Sequence, residues 1–188
     1  MPRKSEYPIS DIFINRWSSR AMSGEPIKID ELMPLFEAAR WAPSAYNEQP
    51  WRFVYAHKNT QLWQEFLATL IPVNQSWAKN AAVLVVVLSK NFFDRTNGQS
   101  HTHSFDAGAA WMSLALQASL NGLVVHAMGG LDYDKVRETL QVPPEFTVEI
   151  IIAIGKPGSK EHLLPELQTR ETPNDRKPLR ELVFENKF

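Results

Sequence analysis

Arg16 and Arg20 lie four residues apart with Ser18 between them, and two guanidiniums beside a hydroxyl match the several acceptor oxygens of a phosphate dianion. On a helix the two arginines would share one face. A solvated basic turn complementing a helix C-terminus has the same spacing, so the pattern alone leaves both readings open. A second cluster, Ala42-Pro43-Ser44-Ala45-Tyr46-Asn47-Glu48-Gln49-Pro50-Trp51, puts hydroxyl, amide and aromatic groups into one short stretch. Such side chains can read the edges of a planar ring, although an ordinary turn has the same composition. His101-Thr102-His103 with Asp106 is a third cluster, which could hold a metal and support a hydrolase. Solvated loop histidines explain it as well, and no metal is expected there. The arginines and the amide-rich turn together suggest a ligand that is flat and anionic.

Several chemistries are excluded by what is missing. None of the 8 glycines forms a G-x-G, and Gly155-Lys156 lacks the upstream glycine and following Ser or Thr of a phosphate loop. G-x-S-x-G and H-E-x-x-H are also absent. With 0 cysteines there is no disulfide, thiolate zinc site or redox dithiol, so any electrons must travel on a borrowed cofactor, and a reducing cytoplasm is the expected location. A net charge of −1 offers no basic face to a nucleic acid. The chain has 188 residues, 44% apolar and 22% charged, which suits one globular domain around one core. Its basic start is followed by no apolar run of signal-peptide length. Ala107 to Leu131 contains no Asp, Glu, Lys or Arg, but Asn121-Gly122 interrupts it and Ser113, Gln117, Ser119 and His126 are polar. A helix buried on all sides is therefore expected rather than a membrane span.

The elements that must position these residues follow from periodicity and stop signals. Ser10 can cap a helix from Asp11 to about Arg20, and a second helix starts near Asp30 and stops at Pro43. Trp51, Phe53 and Tyr55 alternate with Arg52 and Val54 as in a strand. Thr60 opens a helix that Ile71-Pro72 stops. Ala81 to Leu88 is a continuous apolar, β-branched run, expected mid-sheet with both faces covered. A polar loop follows from Ser89 to His103, then a long apolar helix capped by Ser104 and closed by Gly122, a short strand to Met128, a helix from Asp132, and a strand from Phe146 to Ile154. After Gly155 the periodicity dissolves among Pro157, Pro165, Pro173 and Pro178. Such a tail is either disordered or an arm laid on a partner subunit; the arm reading gives a place to Leu163, Leu164, Leu167, Leu179, Leu182, Val183, Phe184 and Phe188.

Taken in order, Arg16-Trp17-Ser18-Ser19-Arg20, Glu37 to Ser44 with Asn47, Gln49-Pro50-Trp51, Asp106-x-Gly108, Gly122-Leu123 and Arg176-Lys177-Pro178-Leu179 resemble the FMN-dependent nitroreductase family over nearly the whole chain. The resemblance implies an α+β fold, a three-layer α/β/α arrangement with a mostly antiparallel central sheet, in an intertwined homodimer with FMN at the interface. It implies one domain over residues 1–188, with 156–188 as an extended arm on the partner.

The same resemblance implies roles for single residues. Arg16, Ser18 and Arg176 would hold the FMN phosphate, with Trp17 beside them. Arg20 would lie at the pyrimidine edge of the ring, where positive charge stabilises the negative charge gained on reduction. Pro43, Ser44 and Asn47 would come from the other subunit, Asn74 would contact the ribityl chain or ring edge, and Gly129 and Gly130 would bring backbone close to the ring. Trp77, Phe92, Phe93, His101 and His103 are the expected substrate wall, with core or surface roles as the alternative for each. The implied activity is hydride transfer from NAD(P)H through FMN to a small electron-poor acceptor such as a nitroaromatic or quinone, by a ping-pong mechanism. A flavin-binding protein without turnover, or one that consumes FMN, shares the same signals.

Overall fold

Val83–Lys90 is buried along almost its whole length, as the apolar run predicts. In a computed structural model, which describes residues 3–188, the elements in chain order are α1 (Asp11–Asn15), α2 (Ile29–Arg40), β1 (Trp51–His57), α3 (Gln61–Thr69), α4 (Pro72–Ala78), β2 (Val83–Lys90), α5 (His103–Leu120), β3 (Val124–Met128), α6 (Tyr133–Leu140), β4 (Phe146–Gly155) and α7 (Pro165–Gln168). The strands form one sheet in the order β1-β2-β4-β3, every neighbouring pair antiparallel.

Strand alternation divides the core in two. Val83, Val85 and Val87 face α2 and α5, packing with Leu32, Leu35, Ala110 and Leu114. Leu84, Val86 and Leu88 face the other way, into a cluster with Trp63, Phe66, Trp77 and Val136 from α3, α4 and α6. The result is the expected three-layer α/β/α sandwich around an antiparallel sheet. No helix is long and apolar enough to cross a membrane among the described residues.

Three local expectations need correction. The first helix ends at Asn15, not near Arg20, and Arg16 is extended at φ −64°, ψ 127°. α1 buries no residue, so packing cannot pay the cost of prolonging it. The Arg3 guanidinium meanwhile captures the carbonyls of Ile14 (2.8 Å) and Arg16 (3.0 Å) at its end. Pro72, expected only to stop α3, opens α4 at the first helical position, where a missing N–H costs nothing. α5 starts one residue before the expected cap, at His103.

The tail packs in part on this chain. Leu163 and Leu167 are buried in the chain's own core, and Glu171 is buried against residues 19–21. Met22 pairs with Pro157 in an isolated bridge, and the Gly158 N–H donates to the Ala21 carbonyl at 2.9 Å. Pro157, Gly158, Leu163, Leu167 and Glu171 thus pack on this chain. Exposed apolar side chains gather near the end, at Leu179, Leu182, Val183, Phe184 and Phe188, with Leu164 exposed earlier in the tail.

Candidate functional site

A cleft of about 620 Å³ opens where the segment after α1 meets the returning tail, lined by Arg3, Arg16, Trp17, Ser18, Arg20, His126, Arg170, Thr172, Asn174 and Arg176. Its size is that of a small-molecule site. Five of these residues are arginines and none is acidic, in a chain whose net charge is −1. The sequence grouping of Arg16, Ser18 and Arg20 is reproduced for a different reason than helical spacing. Arg16 lies beyond the end of α1 in an extended conformation, and Arg16, Trp17, Ser18 and Arg20 all line the cleft.

The cleft is electrostatically unsatisfied. Arg16 Nη1 reaches the Ser18 hydroxyl at 3.4 Å, but its Nε is buried without any hydrogen-bond partner. Burial, then the charges of Arg3 and Arg176, push the Arg16 pKa down. Arg3 is lowered in the same way, by burial and then by Arg176. Three guanidiniums that repel one another, one carrying an orphaned donor, have the chemistry that a bound anion would satisfy.

Arg20 is held from behind. Glu171 is buried, and its Oε1 accepts from the Ser19 hydroxyl (2.6 Å), the Arg20 N–H (2.7 Å) and the Ala21 N–H (3.0 Å). His126, on β3, lines the cleft beside Arg20, and its Nδ1 lies 3.3 Å from the Ser19 carbonyl. Since a carbonyl only accepts, Nδ1 carries the hydrogen and Nε2 is left as an acceptor. Burial, then the Arg20 charge, push the His126 pKa from 6.5 down to about 4. The folded protein thus binds fewer protons here than the unfolded chain. This stability is full above the unfolded value of 6.5 and is lost as pH falls toward 4. Urea unfolding of the apoprotein should show a loss of about 2 kcal/mol between pH 7 and pH 5 that His126→Gln abolishes; equal pH dependence in both proteins would contradict the assignment.

Other expected site residues lie in separate groups. Asn74 and Gly130 meet, Asn74 Nδ2 donating to the Gly130 carbonyl at 3.1 Å. A Cβ on Gly130 would stand 2.7 Å from Ile71 Cδ1 and 2.9 Å from Asn74 Nδ2, so this turn admits only glycine without a shift. The neighbouring Gly129 is exposed, and its carbonyl accepts from Tyr133 Oη at 3.1 Å. Pro43, Ser44 and Asn47 are not at the cleft. They form a turn after α2 in which Tyr46, Asn47 and Gln49 all have positive φ, at 52°, 59° and 49°. The Ser44 hydroxyl fixes it by accepting from the Gln49 N–H at 3.0 Å. Strained non-glycine backbone of this kind concentrates at ligand sites.

Of the expected substrate wall, Phe93 packs edge-on against exposed Tyr46 at 5.8 Å, with the Arg95 guanidinium 4.6 Å over the Tyr46 ring, and Phe92 is exposed nearby in sequence. Trp77 is instead a core residue, 1% exposed, packed behind His126 at 4.7 Å between ring centroids. It belongs to the buried cluster with Trp63, Phe66 and Leu131, and it faces no open surface of the chain. His101 is exposed, while His103 Nδ1 bonds the buried Ser89 hydroxyl at 2.7 Å. Asp106 spends one oxygen, Oδ2, on the Ala45 N–H (3.1 Å) and the Thr102 hydroxyl (3.2 Å). Among the described residues no three His, Cys, Asp or Glu side chains are grouped to hold a metal, so the hydrolase reading has no geometry behind it. Sequence reasoning missed Arg3, His126, Arg170, Thr172, Glu171 and Asn174.

The fold is that of a known family. The model of the Nitroreductase family matches residues 14–156, and the chain belongs to that family. A crystal structure described as an oxidoreductase containing FMN is 48% identical and superimposes with a TM-score of 0.95, over 99% of this chain and 96% of that one. Among curated proteins, the candidate NAD(P)H nitroreductase YodC of Bacillus subtilis (strain 168) is 24% identical over 74% of this chain and 86% of its own. The CLA biosynthesis enone reductase of Lactiplantibacillus plantarum is 26% identical over 79% of this chain and 85% of its own.

Proposed function

We propose that this chain is an FMN-dependent NAD(P)H oxidoreductase that reduces a small electron-poor acceptor such as a nitroaromatic or quinone. The observation that carries the reading is the arginine cleft with the orphaned Arg16 Nε, which fits the phosphate of FMN. Family membership and the FMN-containing structure with 48% identity support the same cofactor. When bound, FMN supplies a ring that takes a hydride from NAD(P)H and gives it to the acceptor in a second half-reaction.

The protein's part is positioning and charge. Arg16, Ser18 and Arg176 hold the phosphate, with Trp17 beside it. Arg20 presents positive charge at the pyrimidine edge, Asn74 meets the ribityl chain or ring edge, and the Gly129-Gly130 backbone lies close to the ring. Pro43, Ser44 and Asn47 complete the site from the partner of a homodimer, with Phe92, Phe93, His101 and His103 toward the acceptor. The dimer is supported by surface: the chain exposes 11304 Å², against about 9,000 Å² for a compact monomer of its mass. Exposed Phe105, Met112 and Leu120 on α5, and the apolar end after Leu179, suit such an interface. A chain without cysteine suits a reducing cytoplasm.

NAD(P)H oxidation should require added FMN-loaded protein and a quinone or nitroarene, and reciprocal rate plots at several acceptor concentrations should be parallel. Absence of acceptor-dependent oxidation would reject turnover. Arg20→Gln should slow reduction by NAD(P)H about tenfold or more while weakening FMN binding by less, because its charge matters most when the ring becomes negative. Unchanged reduction kinetics would remove Arg20 from this role.

A further inference from the structure

Glu171 carries a charge that the proposed reaction does not use. It comes from the returning tail, and its side chain is 3% exposed. Three donors converge on Oε1, two of them consecutive backbone N–H groups at Arg20 and Ala21, so the carboxylate fixes the backbone from which the Arg20 side chain springs. Oε2 is different. It is buried, makes no hydrogen bond, and faces Arg20 Nη1 at 3.6 Å. A bidentate carboxylate clamp would occupy the guanidinium's donors. At 3.6 Å the pair shares charge without consuming donors, and among the described residues the Arg20 guanidinium donates no hydrogen bond. The arginine is thus anchored through its backbone, held by attraction from one side, and left with its N–H groups available to the cleft that it lines.

We propose that Glu171 is a positioning residue for Arg20, fixing the 19–21 backbone and setting how much of the Arg20 positive charge reaches a ligand in the cleft. The inference rests on the FMN reading above and deepens it: by offsetting Arg20, Glu171 limits the preference of the cleft for reduced over oxidised FMN. A cleft with five arginines and no such counter-charge would favour the more negative, reduced form more strongly.

The test is Glu171→Gln. Gln keeps the acceptor at Oε1, and because Oε2 makes no hydrogen bond, an amide nitrogen there breaks none. The readouts are FMN affinity of the oxidised protein by titration and the equilibrium potential of bound against free FMN, which together give the affinity ratio of reduced to oxidised cofactor. The expected result is oxidised-FMN affinity within a few-fold of the parent and a ratio raised on the order of tenfold, as for one buried charge removed beside the site. A ratio within twofold of the parent would overturn the proposal. Should E171Q not fold, Ser19→Ala serves: it removes one donor from Glu171 Oε1 and leaves more of the negative charge to Arg20, so the ratio should fall by a few-fold. A rise or no change would overturn it. If the parent protein binds no FMN, the FMN reading fails rather than the coupling between Glu171 and Arg20.

Discussion

Arg16→Ala should weaken FMN binding by about a hundredfold, corresponding to the loss of about 3 kcal/mol from charge-assisted hydrogen bonds to a phosphate. The same substitution should not destabilise the apoprotein. Arg16 is crowded by Arg3 and Arg176 and its Nε has no partner, so removing it relieves repulsion and an unsatisfied donor. Two effects of opposite sign from one substitution distinguish a ligand-binding arginine from a structural one. FMN titration with urea unfolding of the apoprotein measures both. Affinity within threefold of the parent, or a marked loss of apoprotein stability, would show that Arg16 serves the fold. Arg3→Ala should behave in the second way, since Arg3 ties the Ile14 and Arg16 carbonyls to the Asn174 carbonyl, at 2.8 Å, across the chain termini.

Gly158→Ala is expected to have the largest effect on stability. A Cβ there would lie 2.6 Å from both the Met22 carbonyl oxygen and the Ser23 nitrogen, which are backbone atoms and cannot swing aside. Nor can the two segments separate cheaply, because they are joined by Gly158 N–H to Ala21 O at 2.9 Å and Ser23 N–H to Lys156 O at 3.0 Å. Relief must break this pairing, at a cost of about 3 kcal/mol, which for a chain of this size lowers Tm by roughly 10 °C. The strain also falls next to the 19–21 segment that Glu171 grips, so FMN affinity should fall with stability. A Tm within 2 °C of the parent would mean that the two segments are less tightly apposed than described here.

How much of this could be read from the residues depends on the range of the interactions. The β2 run, the alternation of Trp51 to Tyr55 and the Asp132 cap are local signals; β1 and α6 start where these place them, and β2 is shifted by two residues, to Val83–Lys90. Arg16, Ser18 and Arg20 are close enough in sequence that a common cleft is legible from spacing alone, and the three line one. Glu171 and Ser19 are 152 residues apart, and no local pattern marks an acid for burial. His126 sits in a strand whose neighbours decide its environment, and Trp77 looks equally suited to a wall or a core until α4 packs. The tail shows a related limit: irregular, proline-rich sequence gives no period, yet Leu163 and Leu167 find partners in the chain's own core.

The absorbance spectrum of freshly purified protein, followed by denaturation and quantitation of the released chromophore, decides whether this chain carries FMN. The expected result is a yellow protein that releases FMN, or an apoprotein that takes up added FMN at about one per chain, with Arg16→Ala losing it. A colourless protein that binds no added FMN would contradict it.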